Sequence, residues 1–271
     1  MSYMVLQTCV QGILGDLSDA ILAWLDDLLM HAIDEHALLK LLRRFFQMCR
    51  DYNLKLHPGK CVLFSKMVRW CGRLISFNGV RFDPRRVQAL HDMALPVTGA
   101  DLQQFVCALN WMRTSIPSFA TLISPLQDLL EAVYSHAGKR TKSAASKILL
   151  SKVGWSPSHA ESFRVCQQAI EHAVTLAHPH SGKRLCVYSD ASSVFWSAVI
   201  TQVPPEHLDR PTEEQHHYPL YLLSGKFTGS SSRWPIIEKE AYAIMAACDK
   251  LSWLLHGPDG FSIFTDHHNL T

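Results

Sequence analysis

Arg184-Leu185-Cys186-Val187-Tyr188-Ser189-Asp190 runs apolar and aromatic until its last residue, a carboxylate. The pattern predicts a strand that closes on an acid. Phe261-Ser262-Ile263-Phe264-Thr265-Asp266 repeats it further on, and residues 235–255 between them read as a helix that carries Glu240. Three acids on three neighbouring elements suit a hard divalent cation such as Mg²⁺, which prefers carboxylate and water oxygens. Two such cations can align a water, a scissile phosphate and a leaving oxygen, so the acids point to phosphodiester chemistry.

Each acid alone has a plainer reading. Asp190 could be a solvated strand end. Projected at about 100° per residue, Glu240 lies roughly 70° from the centre of the apolar stripe Ile237, Ala241, Ile244, Met245, Cys248, Leu251 and Leu255, and Glu238 roughly 90° on the other side. Periodicity hardly separates the two. Asp266 could cap a helix opened by His267-His268-Asn269-Leu270. Their order on strand, helix and strand is more specific than any one of them.

The rest of the chain sets the frame. Its 271 residues suffice for about two domains, and 48% hydrophobic against 18% charged residues supports packed cores. No stretch approaches the roughly 18 uninterrupted apolar residues of a membrane span, and the start lacks the basic region and cleavage pattern of a signal peptide. Eight cysteines without a CxxC pair predict reduced thiols of an intracellular protein. Histidines 178, 180, 216, 217, 267 and 268 lack zinc-ligand spacing and read as loop residues. Residues 38–91 hold 12 basic and 2 acidic side chains interleaved with aromatics, which suits a phosphate backbone.

Residues 20–32 place Asp26-Asp27 between two apolar runs, a pattern that fits a hairpin with the acids at its apex or a helix. Leu38, Leu42, Phe45 and Cys49 mark a helix over 35–51. Val68–Ser76 predicts one strand and Asn78-Gly79 a hairpin turn. Asp101 serves as N-cap or first-turn acid of a helix with Leu102, Phe105, Val106 and Leu109 on one face. Residues 135–152 carry five Lys/Arg and no acid among Ser, Ala, Gly and Thr, the composition of a linker. A helix starts near Ser158 and ends before His178, followed by strands 184–190, 194–202, 218–226 and 261–266.

Several segments resemble the reverse transcriptase–ribonuclease H region of the Pol polyprotein of gypsy-type LTR retrotransposons. Trp24-Leu25-Asp26-Asp27 resembles the Tyr-x-Asp-Asp polymerase box, and Leu54–Cys61 resembles Leu-Lys-Leu-Asn-Pro-x-Lys-Cys. Trp70–Ser76 with Asn78-Gly79-Val80 resembles the primer-grip hairpin, and segments from Leu102 to Leu130 follow the thumb. Tyr188–Ser192 resembles Thr-Asp-Ala-Ser, Glu238-Lys239-Glu240-Ala241 resembles Glu-Lys-Glu-Leu with its second glutamate catalytic, and Phe264–His267 resembles Tyr-Thr-Asp-His.

The resemblance implies an α/β and α+β architecture. A partial palm with the primer-grip hairpin would occupy 1–80, a thumb 81–134, a basic linker 135–157, a connection helix 158–181 and an incomplete ribonuclease H-like domain with a mixed sheet 182–271. It implies RNA-directed DNA synthesis and hydrolysis of RNA in RNA–DNA hybrids in the parent protein. Asp190, Glu240 and Asp266 would be catalytic and hold two Mg²⁺ ions, Asp26 and Asp27 would be polymerase catalytic residues with Asp26 a metal ligand, and Lys60, Trp70, Gly72 and Arg73 would contact nucleic acid. The partners implied are RNA–DNA hybrid or primed template and the other Pol segments. An upstream polymerase Asp and a fourth ribonuclease H acid of the family have no counterpart, and Trp24 and Ser197 replace a Tyr and a Gly. These departures suggest a fragment or decayed copy, and the alternative function is a catalytically dead nucleic-acid-binding remnant.

Overall fold

A computed structural model describes residues 3–257 and 259–266. The chain divides into two compact units, residues 1–66 and 67–271.

In the first unit, helix α1 (Tyr3–Leu14) precedes strands β1 (Ile21–Trp24) and β2 (Asp27–Met30), which pair antiparallel with Trp24 opposite Asp27. The hairpin therefore forms, and a helix over 20–32 does not. Helix α2 (Glu35–Asp51) follows, its start fixed by Asp34, which accepts a hydrogen bond from the Ala37 amide at 2.7 Å. Leu14, Leu17, Ile21, Leu41, Phe45, Met48 and Cys49 form a small core.

The second unit opens with a meander of β3 (Met67–Trp70), β4 (Arg73–Ser76) and β5 (Gly79–Phe82). The single strand expected over Val68–Ser76 is two strands. Cys71 (φ 48°) and Gly72 (φ 76°) turn the chain between them, because two successive left-handed residues match the twist of a tight hairpin. The next turn also departs from expectation. Ser76 pairs with Gly79, so Phe77-Asn78 form the loop and Gly79 begins the strand. Gly79 is needed for approach: a Cβ there would lie 2.3 Å from the Leu176 carbonyl oxygen. That approach seats Val80 against Leu176 in an antiparallel bridge.

Helices α3 (Pro84–His91), α4 (Gly99–Trp111), α5 (Phe119–Ala137), α6 (Lys142–Ala145) and α7 (Pro157–Glu171) surround a core that includes Leu102, Phe105, Leu109, Ile123, Leu126, Val133 and Phe163. Asp101 completes a capping box with Thr98, and its carboxyl lies below the usual carboxylate range, held chiefly by the Thr98 backbone amide. The meander shares this core through Phe82, so the contact boundary falls at 66/67 and not after residue 80.

The basic stretch 135–157 is packed and does not behave as a free linker. Gly99 donates to the Ile148 carbonyl at 2.9 Å, Leu150 donates to Val97 at 3.0 Å, and Ala145 and Leu150 are buried. Lys139, Arg140, Lys142, Lys147 and Lys152 are exposed. The charges that suggested a linker thus cover one side of a segment whose few apolar residues fill the core. Helix α7 is shorter than expected, and residues 172–181 leave it as an extended strap. Along the strap Val174 donates to Ser115 at 2.7 Å, Ala177 to Pro219 at 2.7 Å, and the buried Gln202 holds both the His178 carbonyl and the His180 amide.

The last layer is a four-stranded sheet in the order β8-β7-β6-β9, built from β6 (Arg184–Ala191), β7 (Phe195–Val203), β8 (Tyr218–Lys226) and β9 (Phe261–Phe264). β6–β7 and β7–β8 are antiparallel and β6–β9 is parallel, the mixed sheet expected from sequence. Helix α8 (Ile236–Lys250) packs Ala243, Ala246 and Ala247 against Val187, Trp196, Ala198 and Ile200. Leu251 breaks the expected 235–255 helix, and α9 (Ser252–Leu255) follows.

Candidate functional site

The sheet register brings two of the acids level. Tyr188 pairs with Phe264 across the parallel β6–β9 ladder, and Asp190 and Asp266 each lie two residues beyond that pair. Side chains two apart share a face of a strand. Beneath them the rings of Tyr188 and Phe264 stack with centroids 4.6 Å apart and planes 11° from parallel, which fixes the spacing of the two strands. Burial pushes the Tyr188 phenol up to about 12.

Glu240 comes from the second turn of α8 and is 3% exposed, whereas Glu238 is exposed. Periodicity could not choose between them, and the fold does. A buried carboxylate is costly unless it accepts hydrogen bonds, and Glu240 Oε1 accepts one from the Ala191 amide at 3.2 Å. The helix acid is thereby tied to the residue that follows Asp190.

One carboxylate oxygen from each of Asp190, Glu240 and Asp266 lies within 4.8 Å of the other two. Asp190 and Asp266 are exposed, so the cluster opens to solvent on one side. Three oxygen donors with no sulfur or nitrogen among them fit a hard cation. Adjacent oxygen ligands of one octahedral Mg²⁺ sit about 3 Å apart, so ion binding would close these oxygens by about 2 Å at most. The N-cap alternative for Asp266 and the contacts of His267 and His268 lie outside the described residues.

The other predicted residues fall elsewhere. Asp26 and Asp27 are exposed on the β1–β2 hairpin, and among the described residues they join no cluster of three ligands. Leu25, at φ 56°, shapes their turn, and Gln7 of α1 holds it: its amide donates to the Ala23 carbonyl at 2.9 Å and accepts from the Leu25 amide at 2.6 Å. Sequence reading missed Gln7, since a lone glutamine on a helix carries no signal. Lys60 is exposed on a 3-10 turn, Pro58–Lys60. Trp70 is half-buried. Arg73 is also half-buried, its guanidinium 5.0 Å from the Phe82 ring and 5.2 Å from the Trp111 ring, and burial lowers its pKa. Gly72 leaves room for Arg86, whose Cζ would lie 2.6 Å from a Cβ there.

Among the described residues no helix is long and apolar enough to cross a membrane. Residues 155–263 match the family described as "RNase H-like domain found in reverse transcriptase". The chain is 24% identical over 266 residues to the Transposon Tf2-3 polyprotein of Schizosaccharomyces pombe, covering 97% of this chain and 18% of that protein. It is 26% identical over 248 residues to the retrovirus-related Pol polyprotein from transposon 412 of Drosophila melanogaster, covering 92% of this chain and 18% of that protein. The chain thus spans under a fifth of these relatives. Among solved structures it is similar to foamy viral protease-reverse transcriptase dRH in complex with double-stranded DNA, with a TM-score of 0.77 and 19% identity over 97% of this chain and 42% of that one. A foamy viral protease-reverse transcriptase in complex with RNA/DNA hybrid is similar with a TM-score of 0.74 and 19% identity, over 96% of this chain and 32% of that one. The domain match stops three residues short of Asp266, which the geometry adds to the acids within it. Residues 155–263 thus match the RNase H-like domains found in reverse transcriptase, and the chain is similar to retrotransposon Pol polyproteins over nearly its whole length.

Proposed function

We propose that the acid cluster hydrolyses the RNA strand of an RNA–DNA hybrid with two Mg²⁺ ions. The observation that carries this reading is the convergence of Asp190, Glu240 and Asp266 oxygens within 4.8 Å. Bound there, the ions would supply activation of a water and stabilisation of the leaving 3′ oxygen. The chain's own part is to hold the ligands. Asp190 and Asp266 present oxygens from adjacent parallel strands, and Glu240 is aimed by its bond to the Ala191 amide. Hybrid recognition of this kind reads shape, phosphates and 2′-hydroxyls more than sequence. The complexes of the foamy viral neighbours with DNA and with RNA/DNA hybrid support the same substrate class.

We also assign Lys60 and, separately, Trp70, Gly72 and Arg73 of the meander as nucleic-acid contacts, and Asp26 and Asp27 as a partial polymerase site. The domain scheme of palm, thumb and connection helix rests on the resemblance of their motifs.

The test is release of labelled RNA from a hybrid in Mg²⁺ or Mn²⁺, compared with chelator and with Asp190→Asn. Metal-dependent release that the variant lacks supports the assignment. Equal release by the variant rejects it, and salt-sensitive hybrid binding with no release favours a non-catalytic binding remnant.

A further inference from the structure

We propose that Lys239 is a positioning residue for the acid cluster, acting through the β6–β7 turn; this rests on the metal-centre reading of that cluster. Lys239 is 4% exposed. Its ammonium donates to the Ser193 carbonyl at 2.6 Å and the Ser232 carbonyl at 2.9 Å, and it lies 5.3 Å from the centre of the Phe227 ring. Among the described residues it makes no ion pair with a carboxylate. A lysine is almost never this buried without a paired charge, so its surroundings are built to hold it.

What it holds is the chain just past Asp190. Glu240 takes the Ala191 amide, and its neighbour Lys239 takes the Ser193 carbonyl. Two successive side chains of α8 therefore grip the turn at two points, one through a donor and one through an acceptor. Ser192 closes the same turn, accepting from the Val194 and Phe195 amides at 3.3 and 3.0 Å. The Ser232 bond adds a third anchor, in the loop that leads into α8. Glu240 and Asp190 thus have their separation set by a bracket of which Lys239 is the second arm. The sequence hides this. At about 100° per residue Lys239 falls opposite the apolar stripe, where solvent is expected. It is buried because α8 turns a different face to the sheet, that of Ala243, Ala246 and Ala247, four, seven and eight residues on from Lys239, while Ala241 and Met245 of the stripe are exposed.

The experiment uses the full chain and three variants, Lys239→Met, Lys239→Gln and Lys239→Arg. Amide exchange is followed residue by residue without divalent ions, and Mn²⁺ affinity is measured by titration. In Lys239→Met, exchange at Ala191, Val194 and Phe195 accelerates at least about tenfold while the β7–β8 amides keep their rates. Mn²⁺ affinity falls about tenfold, the loss common when a partner behind a metal ligand is removed. Lys239→Arg, which keeps a cationic donor, recovers most of that affinity. Lys239→Gln, which keeps a single donor group, shows the same changes at smaller size and decides the matter should the Met variant not fold. Unchanged exchange in the turn, or unchanged Mn²⁺ affinity in a folded neutral variant, overturns the proposal. If the wild-type chain binds no Mn²⁺, the metal-centre reading falls, and the exchange of the turn still decides the bracket.

Discussion

Replacing Asp190 by Asn removes one of three negative charges whose nearest oxygens lie no more than 4.8 Å apart. At that distance two unit charges repel by about 0.9 kcal/mol in bulk water and about 3.5 kcal/mol at an effective dielectric of 20. Asp190 is exposed, so the lower figure applies. With two partners, the ion-free protein gains about 1 to 2 kcal/mol at low ionic strength from the substitution. For a unit of this size that is a rise of roughly 3 to 6 °C in Tm. In 1 M monovalent salt the Debye length falls to about 3 Å and the gain nearly vanishes. Divalent ions reverse the order. At a hundred times its Kd an ion that binds only the folded state adds about 2.7 kcal/mol, which the wild type receives and the variant does not. The assay is thermal unfolding of both proteins in chelator, in chelator with 1 M salt, and in Mg²⁺ or Mn²⁺. A variant that melts below the wild type in low-salt chelator, or divalent ions that raise both equally, would refute the clustering argument.

Gly79→Ala is expected to destabilise the second unit by about 2 to 3 kcal/mol, since its φ is 129° and the new Cβ meets the Leu176 carbonyl at 2.3 Å; denaturant midpoints measure it, and a neutral result denies the close approach. Burial pushes the Cys166 thiol from its ordinary 9.0 up to about 12. The folded state therefore keeps its proton while the unfolded chain releases it, and this stability is complete below about pH 9 and lost as pH rises from 9 to 12. Unfolding curves from pH 8 to 11 check this, with a shallower decline expected in Cys166→Ala. Asp26 and Asp27 join no third ligand among the described residues, so the chain is expected to add no nucleotide to a primed template in Mg²⁺; primer extension above background would contradict that.

The ribonuclease H-like layer was legible because β6, β7 and β8 are eight or nine residues long and largely apolar, and the β6 and β9 patterns run on to acids, although β9 itself stops at Phe264, two residues before Asp266. Strands 184–190 and 218–226 match the observed β6 and β8 to within a residue. Glu240 was not separable from Glu238 by periodicity, since the two flank the apolar stripe at similar angles. What separates them is that α8 packs its Ala243, Ala246 and Ala247 face on the sheet, with Glu240 on that side and bonded to a residue 49 positions away, while Ala241 and Met245 of the stripe are exposed. Asn78-Gly79 has the composition of a two-residue turn, yet Gly79 answers to a backbone 97 residues downstream. Residues 135–152 failed in the opposite sense: five cations dominate their composition, and Ala145 and Leu150 dominate their placement. Lys239 shows the same limit at the site, since it shares the buried face of Ala243, Ala246 and Ala247, and its two carbonyl partners come from loops elsewhere in the chain.

The strap after α7 bears on how the chain can be cut. A protease needs a run of residues it can draw out into its own cleft, and such runs are scarce where backbone groups are already engaged. From Val174 to His180 the chain is stitched to Ser115, Val80, Pro219 and Gln202 in turn. Opening it would strip both the meander and the sheet edge at β8. Residues 61–66 offer the contrast, with every side chain exposed at the boundary of the two units. Limited digestion of this chain is expected to part it there and keep the helical core joined to its acid-bearing sheet.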